Sequence, residues 1–195
     1  GIVNLKKSSP DAILTAAALI SSMGWRSNQP WIDEVILPGG FLWEKAGFGR
    51  ERTLGEWKSL GVKLRKGEFD AANDIRATLL LPQGSKGPKF LAYPNFDVYL
   101  GWNDSFIYTV TAAHLATRLG GAPKFVSNNP EAILTLEEMV ELQNILKSKG
   151  LNVGKVDGIL GRNTRQSVRL IQIEFGFPAD SWPTKDLLKK LRESP

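Results

Sequence analysis

The stretch LAYPNFDVYLGWNDSFIYTVTAAHLATRL, residues 91–119, decides how the rest of the chain is read. Between Tyr93 and Tyr108 it gathers six aromatics: Tyr93, Phe96, Tyr99, Trp102, Phe106 and Tyr108, which include all three tyrosines of the chain. Asn95, Asp97 and Asn103 are threaded between them. Phe96, Val98 and Leu100 alternate as one face of a strand would. Asn103 or Asp104 then caps a helix that reaches Leu119, where Gly120 and Gly121 end it. Ala112, Leu115, Ala116 and Leu119 give that helix an apolar face, with Tyr108 one turn before Ala112. Two readings of the aromatics stand side by side. They are core and rim, with Asn95 holding a turn, or they line a carbohydrate cleft. Sugar rings present flat C–H faces that pack on aromatic planes, their hydroxyls need short polar partners, and tyrosine offers both.

Working upstream, SSPDAILTAAALISSMGW (residues 8–25) opens a helix with Ser9 as N-cap, Pro10 in the first turn and Asp11 at the positive end. The mostly apolar run Ala12 to Met23 predicts a widely buried helix, ended by Gly24. WIDEVILP (31–38) reads as a short strand stopped by Pro38. TLGEWKSLG (53–61) is a short helix with the capping-box pair Thr53 and Glu56, closed by Gly61. IRATLLLPQG (75–84) and PKFLAY (88–93) are strands across the turn-forming QGSKG. The set predicts a small, irregular, mostly antiparallel sheet.

Downstream, GGAPKFVSNNP (120–130) has linker composition and little to bury. Thr135 then caps a helix with Glu138 completing a capping box, and Leu136, Met139, Leu142 and Leu146 recur at helical spacing. The glycine-rich GLNVGKVDGILG (150–161), a second helix in NTRQSVRLIQIEFG (163–176) and a third in PTKDLLKKL (183–191) complete a compact three-helix module. Leu142, Val168, Ile171, Leu187 and Leu188 are its expected core, Asp157-Gly158 a turn, and Thr164 a cap or brace of the second helix.

At 195 residues the chain accommodates one medium domain or a domain plus a small module, and 42% hydrophobic with 23% charged residues is a globular composition. With no cysteine and one histidine, disulfides, thiolate sites and a thiol nucleophile are excluded, and a zinc hydrolase site is disfavoured. The net charge of +5 is spread out, with small clusters at Lys6-Lys7 and Lys189-Lys190. Nucleic-acid binding wants a denser patch, whereas an anionic polymer such as cell-wall material suits a mild positive balance. No apolar run approaches a membrane span, and Ala12 to Ile20 is too short and lacks the flanks of a signal peptide. The abrupt start at Gly1 suggests a mature or cut product.

With those residues in view, the chain resembles a known family. Residues 91–119, SSPDAILTAAALISSMGW and RTLGEWKSLGV occur in the order found in membrane-bound-lytic-transglycosylase-B-like enzymes, the soluble lytic murein transglycosylases of glycoside hydrolase family 103. The likeness spans residues 1 to about 120. It implies an α+β fold: the C-terminal part of a lysozyme-like lytic transglycosylase domain with a small irregular antiparallel sheet. It also implies cleavage between N-acetylmuramic acid and N-acetylglucosamine by one glutamate acting as acid and then base, leaving a 1,6-anhydro product. By resemblance, Trp102, Asn103 and Tyr108 bind glycan, and Asn95 and Phe96 support the cleft. No cofactor and no metal are implied.

The family's catalytic glutamate lies before the segment matching Gly1, so the resemblance assigns no catalytic residue to this chain. Glu34 falls in a strand, Glu44 and Glu51 in a loop-rich stretch and Glu56 in a capping box, and nothing in the sequence argues for the burial or neighbouring charge that a general acid needs at any of the four. Asp97 and Asp104 read as orienting or capping groups, and His114 as packed or exposed. The chain alone is expected to be inactive, completed by a complementary N-terminal chain or truncated from a longer polypeptide.

The second unit resembles the peptidoglycan-binding domain 1 family through Leu142-Gln143, Asp157-Gly158, Gly161 with Thr164, and Pro183-Thr184. Ile171 occupies the usual aromatic's place before Gln172. The expected organisation is 1–124 for the transglycosylase portion, 125–133 for the linker and 134–193 for the module. Its expected glycan surface lies around Asp157, Arg162 and Asn163. Peptidoglycan strands are the expected partner, with no nucleic acid. The implied compartment is the periplasm, with outer-membrane association of the intact protein as a variant. The competing readings are a non-catalytic peptidoglycan-binding protein and a structural protein whose aromatics meet a partner.

Overall fold

A run of three leucines, Leu79-Leu80-Leu81, has none of the polar alternation of a strand with one wet face, which marks a strand covered on both sides. In the computed structural model, which describes residues 4–103 and 105–194, that run closes an inner strand of a five-stranded sheet, with Leu81 just beyond the strand's end. The strands are β1 (Ile32–Ile36), β2 (Arg52–Thr53), β3 (Lys63–Leu64), β4 (Arg76–Leu80) and β5 (Phe90–Ala92). All pairs are antiparallel, in the order β2-β4-β5-β1-β3. Leu79 lies opposite Leu91, and Leu91 opposite Asp33. Parity sorts the side chains onto two faces. Leu79, Leu81 and Leu91 join Val35, Trp57 and Tyr93 in one cluster. Leu80, Phe90 and Ala92 join Ile32, Phe96 and Val110 in the other.

Helices cover both faces. α1 is Ser9–Ser22, α2 Leu54–Ser59, α3 Pro94–Asn103 and α4 Phe106–Leu119. The capping box of α2 forms as expected: Thr53 Oγ1 accepts from the Glu56 amide at 3.2 Å, and Glu56 Oε2 accepts from the Thr53 amide at 2.7 Å. Buried Trp57 anchors the helix by donating Nε1–H to the Ala77 carbonyl at 2.9 Å.

Five expectations are corrected. The N-cap of α1 is Ser8, not Ser9, because the Ser8 hydroxyl accepts from the Asp11 amide. The helix buries none of its residues: Ile13 and Leu14 are 68% and 67% exposed. The 96–98–100 alternation is helical rather than extended, since Phe96 and Leu100, one turn apart, are the buried pair. Pro94 at the first helical position fits that outcome. α4 begins at Phe106 with Ser105 as N-cap; Asn103 ends α3 instead, and Asp104 lies outside the described residues. The buried face of α4 is Phe106, Thr109, Val110 and Ala113, and Leu115 and Leu119 point outward.

After α4, residues 122–135 run without regular structure but are pinned along their length. The Val126 amide donates to Glu34 Oε1 at 3.0 Å, the Phe125 ring packs on Phe90, and Asn128 donates to the Gly87 carbonyl. The segment that composition marked as having little to bury therefore lies against the inner strands β1 and β5 and the turn before β5. Then α5 (Leu136–Ser148), α6 (Arg162–Glu174) and α7 (Lys185–Arg192) enclose the third cluster, which contains Met139, Leu142, Leu146, Val168, Ile171, Leu187 and Leu188. Thr135 and Glu138 form the expected box. Thr164 does not cap α6. It is buried and donates to the Val153 carbonyl, while Gly161 holds the N-cap position.

A latch joins this three-helix unit to the sheet. Buried Arg165 donates to the Leu81 and Pro82 carbonyls at 3.4 and 2.7 Å, and the Ser85 amide donates to Asp180 at 2.7 Å. Gly84, at φ +70°, lies so close that a Cβ there would fall 2.6 Å from Trp182 Cβ. Gly84→Ala is therefore expected to cost about 2 kcal/mol, combining a left-handed backbone with a backbone-proximal clash. The check is hydrogen exchange at the Ser85 amide, which should lose protection while the amides of β4 and β5 keep theirs.

Candidate functional site

Five aromatic rings make a continuous ladder. Centroids are 5.4 Å apart for Trp25–Trp31, 5.9 Å for Trp31–Tyr99, 5.2 Å for Tyr99–Trp102 and 6.5 Å for Trp102–Tyr108. Every ring keeps a solvent-facing part; Trp102 is 39% and Tyr108 46% exposed. Tyr99 and Trp102 are neighbours because they stand three apart on α3. Tyr108 sits in the first turn of α4, where its amide donates to Ser105 Oγ. Burial, and then the nearness of Tyr108, raise the Tyr99 hydroxyl pKa, so this phenol stays a donor at neutral pH.

Trp25 and Trp31 come from the segment between α1 and β1. Asn95, fully buried in the first turn of α3, holds that segment. Its Oδ1 accepts from the Arg26 amide at 2.8 Å, and its Nδ2 donates to the carbonyls of Arg26 (2.8 Å) and Gln29 (3.0 Å). Phe96 packs beneath, 1% exposed. Of the residues singled out from sequence, Trp102 and Tyr108 meet in the ladder, Asn103 follows them as an exposed group at the end of α3, and Asn95 and Phe96 lie under it. Trp25 and Trp31 were missed as members, and Tyr99, one of the six aromatics of the opening stretch, was not singled out with Trp102 and Tyr108. Their signal was present locally, a tryptophan after the helix-ending glycine and another after Pro30, but nothing local ties residues 25–31 to residue 99.

The carboxylates divide by role. Glu34 is paired with Arg65 at 2.6 Å and also accepts from Val126. The backbone hydrogen bond from Thr53 holds Glu56 below the usual range, and Glu44 and Glu51 are exposed. Asp97 is raised by burial and then by Glu51. Asp33 is raised chiefly by burial, although the Tyr93 hydroxyl donating at 2.8 Å works against the shift. The folded state therefore favours protonated Asp33. Its contribution is greatest near and below the ordinary value of 3.8 and is lost as pH rises through the folded pKa. Wild type minus Asp33→Asn, measured by urea unfolding, should fall with rising pH in that window; a flat difference would remove Asp33 as the cause. His114 is lowered by burial and stacks edge-on against Phe125 at 4.8 Å. Among the described residues no cluster of three His, Asp or Glu could hold a metal.

In the three-helix unit Asp157 and Asn163 are exposed around one loop, where Asp157 Oδ1 accepts from the Ile159 amide. Arg162 turns instead toward the sheet unit, with its guanidinium 4.5 Å from the Phe48 ring centroid.

A family model described as a transglycosylase SLT domain matches residues 1–117, and a peptidoglycan binding domain model matches residues 135–191. Two solved structures of SltB3 from Pseudomonas aeruginosa, in complex with NAG-anhNAM-pentapeptide and with NAG-NAM-pentapeptide, are each 38% identical with a TM-score of 0.82. Each alignment covers 95% of this chain and 51% of that one. A spore cortex-lytic enzyme of Bacillus cereus is 42% identical over 57 residues, which cover 28% of this chain and 22% of that protein. The chain thus spans about half the length of its structural relatives and about a fifth of the curated one. With more than half of its residues matched by one model, the chain belongs to the transglycosylase SLT domain family and carries a peptidoglycan binding domain after it.

Proposed function

We propose that this chain is the glycan-holding part of a lytic murein transglycosylase, and the aromatic ladder is the observation that carries the reading. A run of half-open rings suits the successive flat faces of a polysaccharide better than it suits a single small ligand. Trp102 and Tyr108 stack on sugar rings, Asn103 offers an amide to an acetamido or hydroxyl group, and Asn95 and Phe96 fix the platform. The organisation is residues 1–124 as the transglycosylase portion, 125–133 as the connection and 134–193 as the wall-binding module. Asp157, Arg162 and Asn163 form the polar surface of the module toward peptidoglycan, with Arg162 supplying its charge from the edge that contacts Phe48.

Bond cleavage between N-acetylmuramic acid and N-acetylglucosamine, with a 1,6-anhydro product, needs a glutamate raised by burial. Glu34 is ion-paired and Glu56 is a cap with a lowered pKa, which supports a catalytic glutamate supplied from outside these residues, by a complementary N-terminal chain or lobe. The exposed apolar residues Ile13, Leu14 and Leu19 of α1 suit contact with that lobe. The compartment is the periplasm, where such an enzyme meets its polymer.

Co-sedimentation with insoluble murein tests this. The 195-residue chain should pellet saturably and release no anhydro-muropeptide. Trp102→Ala with Tyr108→Ala should weaken pelleting about tenfold or more, the scale expected for two stacking rings. Equal pelleting by the double variant would move the glycan contact elsewhere. Anhydro product from the chain alone would place a catalytic acid within it.

A further inference from the structure

Between the sheet unit and α6 lies a cavity of about 350 Å³. Three guanidinium groups line it: Arg50, Arg165 and Arg169. Arg165 is 4% exposed. Two of its N–H groups hold the Leu81 and Pro82 carbonyls, and its plane lies 4.8 Å from the Phe106 ring and 5.7 Å from Trp182. Its Nε–H is buried with no acceptor among the described residues. The same holds for Arg169 Nε–H, although Arg169 Nη2 donates to the Glu44 carbonyl at 2.7 Å. Burial lowers the Arg165 pKa to about 10, so it is still charged at neutral pH. Arg50 lies near enough to Arg169 to lower its pKa further, with the Glu44 carboxylate acting the other way.

Asp180 is the carboxylate on the lining, and its oxygens are already engaged. They accept from the Ser85 and Trp182 amides and from Gln172 Nε2. The cavity therefore gathers three cations against one occupied anion, with two buried donors unspent. An unspent buried donor is costly, and a guanidinium is the group best shaped to grip an oxyanion. Phe48, Phe106 and Leu170 supply apolar wall beside the charges.

We propose that this junction pocket binds a carboxylate carried on a short apolar stem. Arg165 and Arg169 are the fixed donors, Arg50 closes from the rim, and Phe48, Phe106 and Leu170 cover the stem. Inorganic phosphate, polar on every side, leaves that apolar wall uncovered. The D-alanyl terminus of a peptidoglycan stem peptide has the required chemistry. This choice of source rests on the function proposed above, whereas the carboxylate chemistry does not. Bound there, a stem peptide lies against both units at once, apart from the ladder.

The test is a 1H–15N titration of the 195-residue chain with N-acetyl-D-alanyl-D-alanine, read at the Arg165 and Arg169 Nε–H signals. Both should shift saturably. Arg169→Gln and Arg50→Gln should each weaken binding about tenfold, the loss typical of one charge-assisted contact, while leaving the Arg165 latch in place; Arg50→Gln, which removes no hydrogen bond among the described residues, should leave the melting temperature unchanged as well. The C-terminal amide of the same dipeptide should not bind. Silence at both Nε–H signals, equal binding of the amide, or phosphate binding as tightly as the dipeptide would each overturn the assignment. Trp102→Ala serves as the control: it should weaken murein pelleting and leave this titration unchanged. The ladder reading and the pocket reading therefore fail separately.

Discussion

Asn95→Ala is expected to cost about 3 kcal/mol of folding stability and to weaken murein pelleting about tenfold or more, from a residue that presents no surface to a ligand. The side chain is fully buried and makes three hydrogen bonds to the backbone of Arg26 and Gln29. Alanine leaves one amide and two carbonyls unpaired and frees the segment that carries Trp25 and Trp31. Asn95→Asp should be no milder. It keeps the acceptor for Arg26 N–H but sets a carboxylate against two carbonyl oxygens. The measurements are urea unfolding and co-sedimentation below the unfolding transition. A folded Asn95→Ala protein that pellets like wild type would mean that the Trp25–Trp31 end of the ladder takes no part in binding.

The second large effect is Gln143→Ala, with a loss of about 4 kcal/mol confined to the three-helix unit. Gln143 is fully buried and its amide is spent on both sides. Oε1 accepts from the Asp157 and Gly158 amides at 3.0 and 2.9 Å, and Nε2 donates to the Ile159 carbonyl and to Thr164 Oγ1 at 3.0 and 3.2 Å. One side chain on α5 thus folds the whole loop 157–159 over the helix pair. Gln143→Glu keeps the acceptors but loses both donors, so it should fare as badly. Hydrogen exchange would locate the damage: amides 157–159 and α5–α7 should open, while β4 and β5 stay protected. Uniform loss across the chain would show that the two units unfold as one.

These two amides show what a sequence can carry. Both were visible through family resemblance, Asn95 as a support of the cleft and Gln143 as half of the Leu-Gln mark in the module's first helix, but their hydrogen-bond partners were not, because those depend on contacts 66 to 69 residues away for Asn95. Capping boxes at Thr53 and Thr135 were legible because their physics closes within four residues. The helix α3 was misread as a strand because residues 96, 98 and 100 satisfy a period of two, while the burial that decides the matter falls at 96 and 100. The expected wide burial of α1 and the face of α4 went wrong for a related reason. Apolar residues there are spread around the helix, and only packing decides which of them, if any, are covered. The arginines of the junction cavity had no local signature at all, since Arg165 reaches a carbonyl 83 positions earlier in the chain.

If the ladder and the module both grip glycan as proposed above, the latch between Gly84, Arg165 and Trp182, with residues 125–131 tied down beside it, sets how the two grips on one polymer add up. A flexible tether lets a second site search a volume, so its local concentration falls off smoothly with reach and many spacings are tolerated. A pinned connection removes the search. Once the ladder holds a strand, the polar loop of the module stands at one distance and one bearing from it, and the second grip forms at little further entropic cost or does not form. On that proposal the pair is expected to act as a caliper, responding to the repeat length and direction of the strand, two properties that neither surface could measure alone.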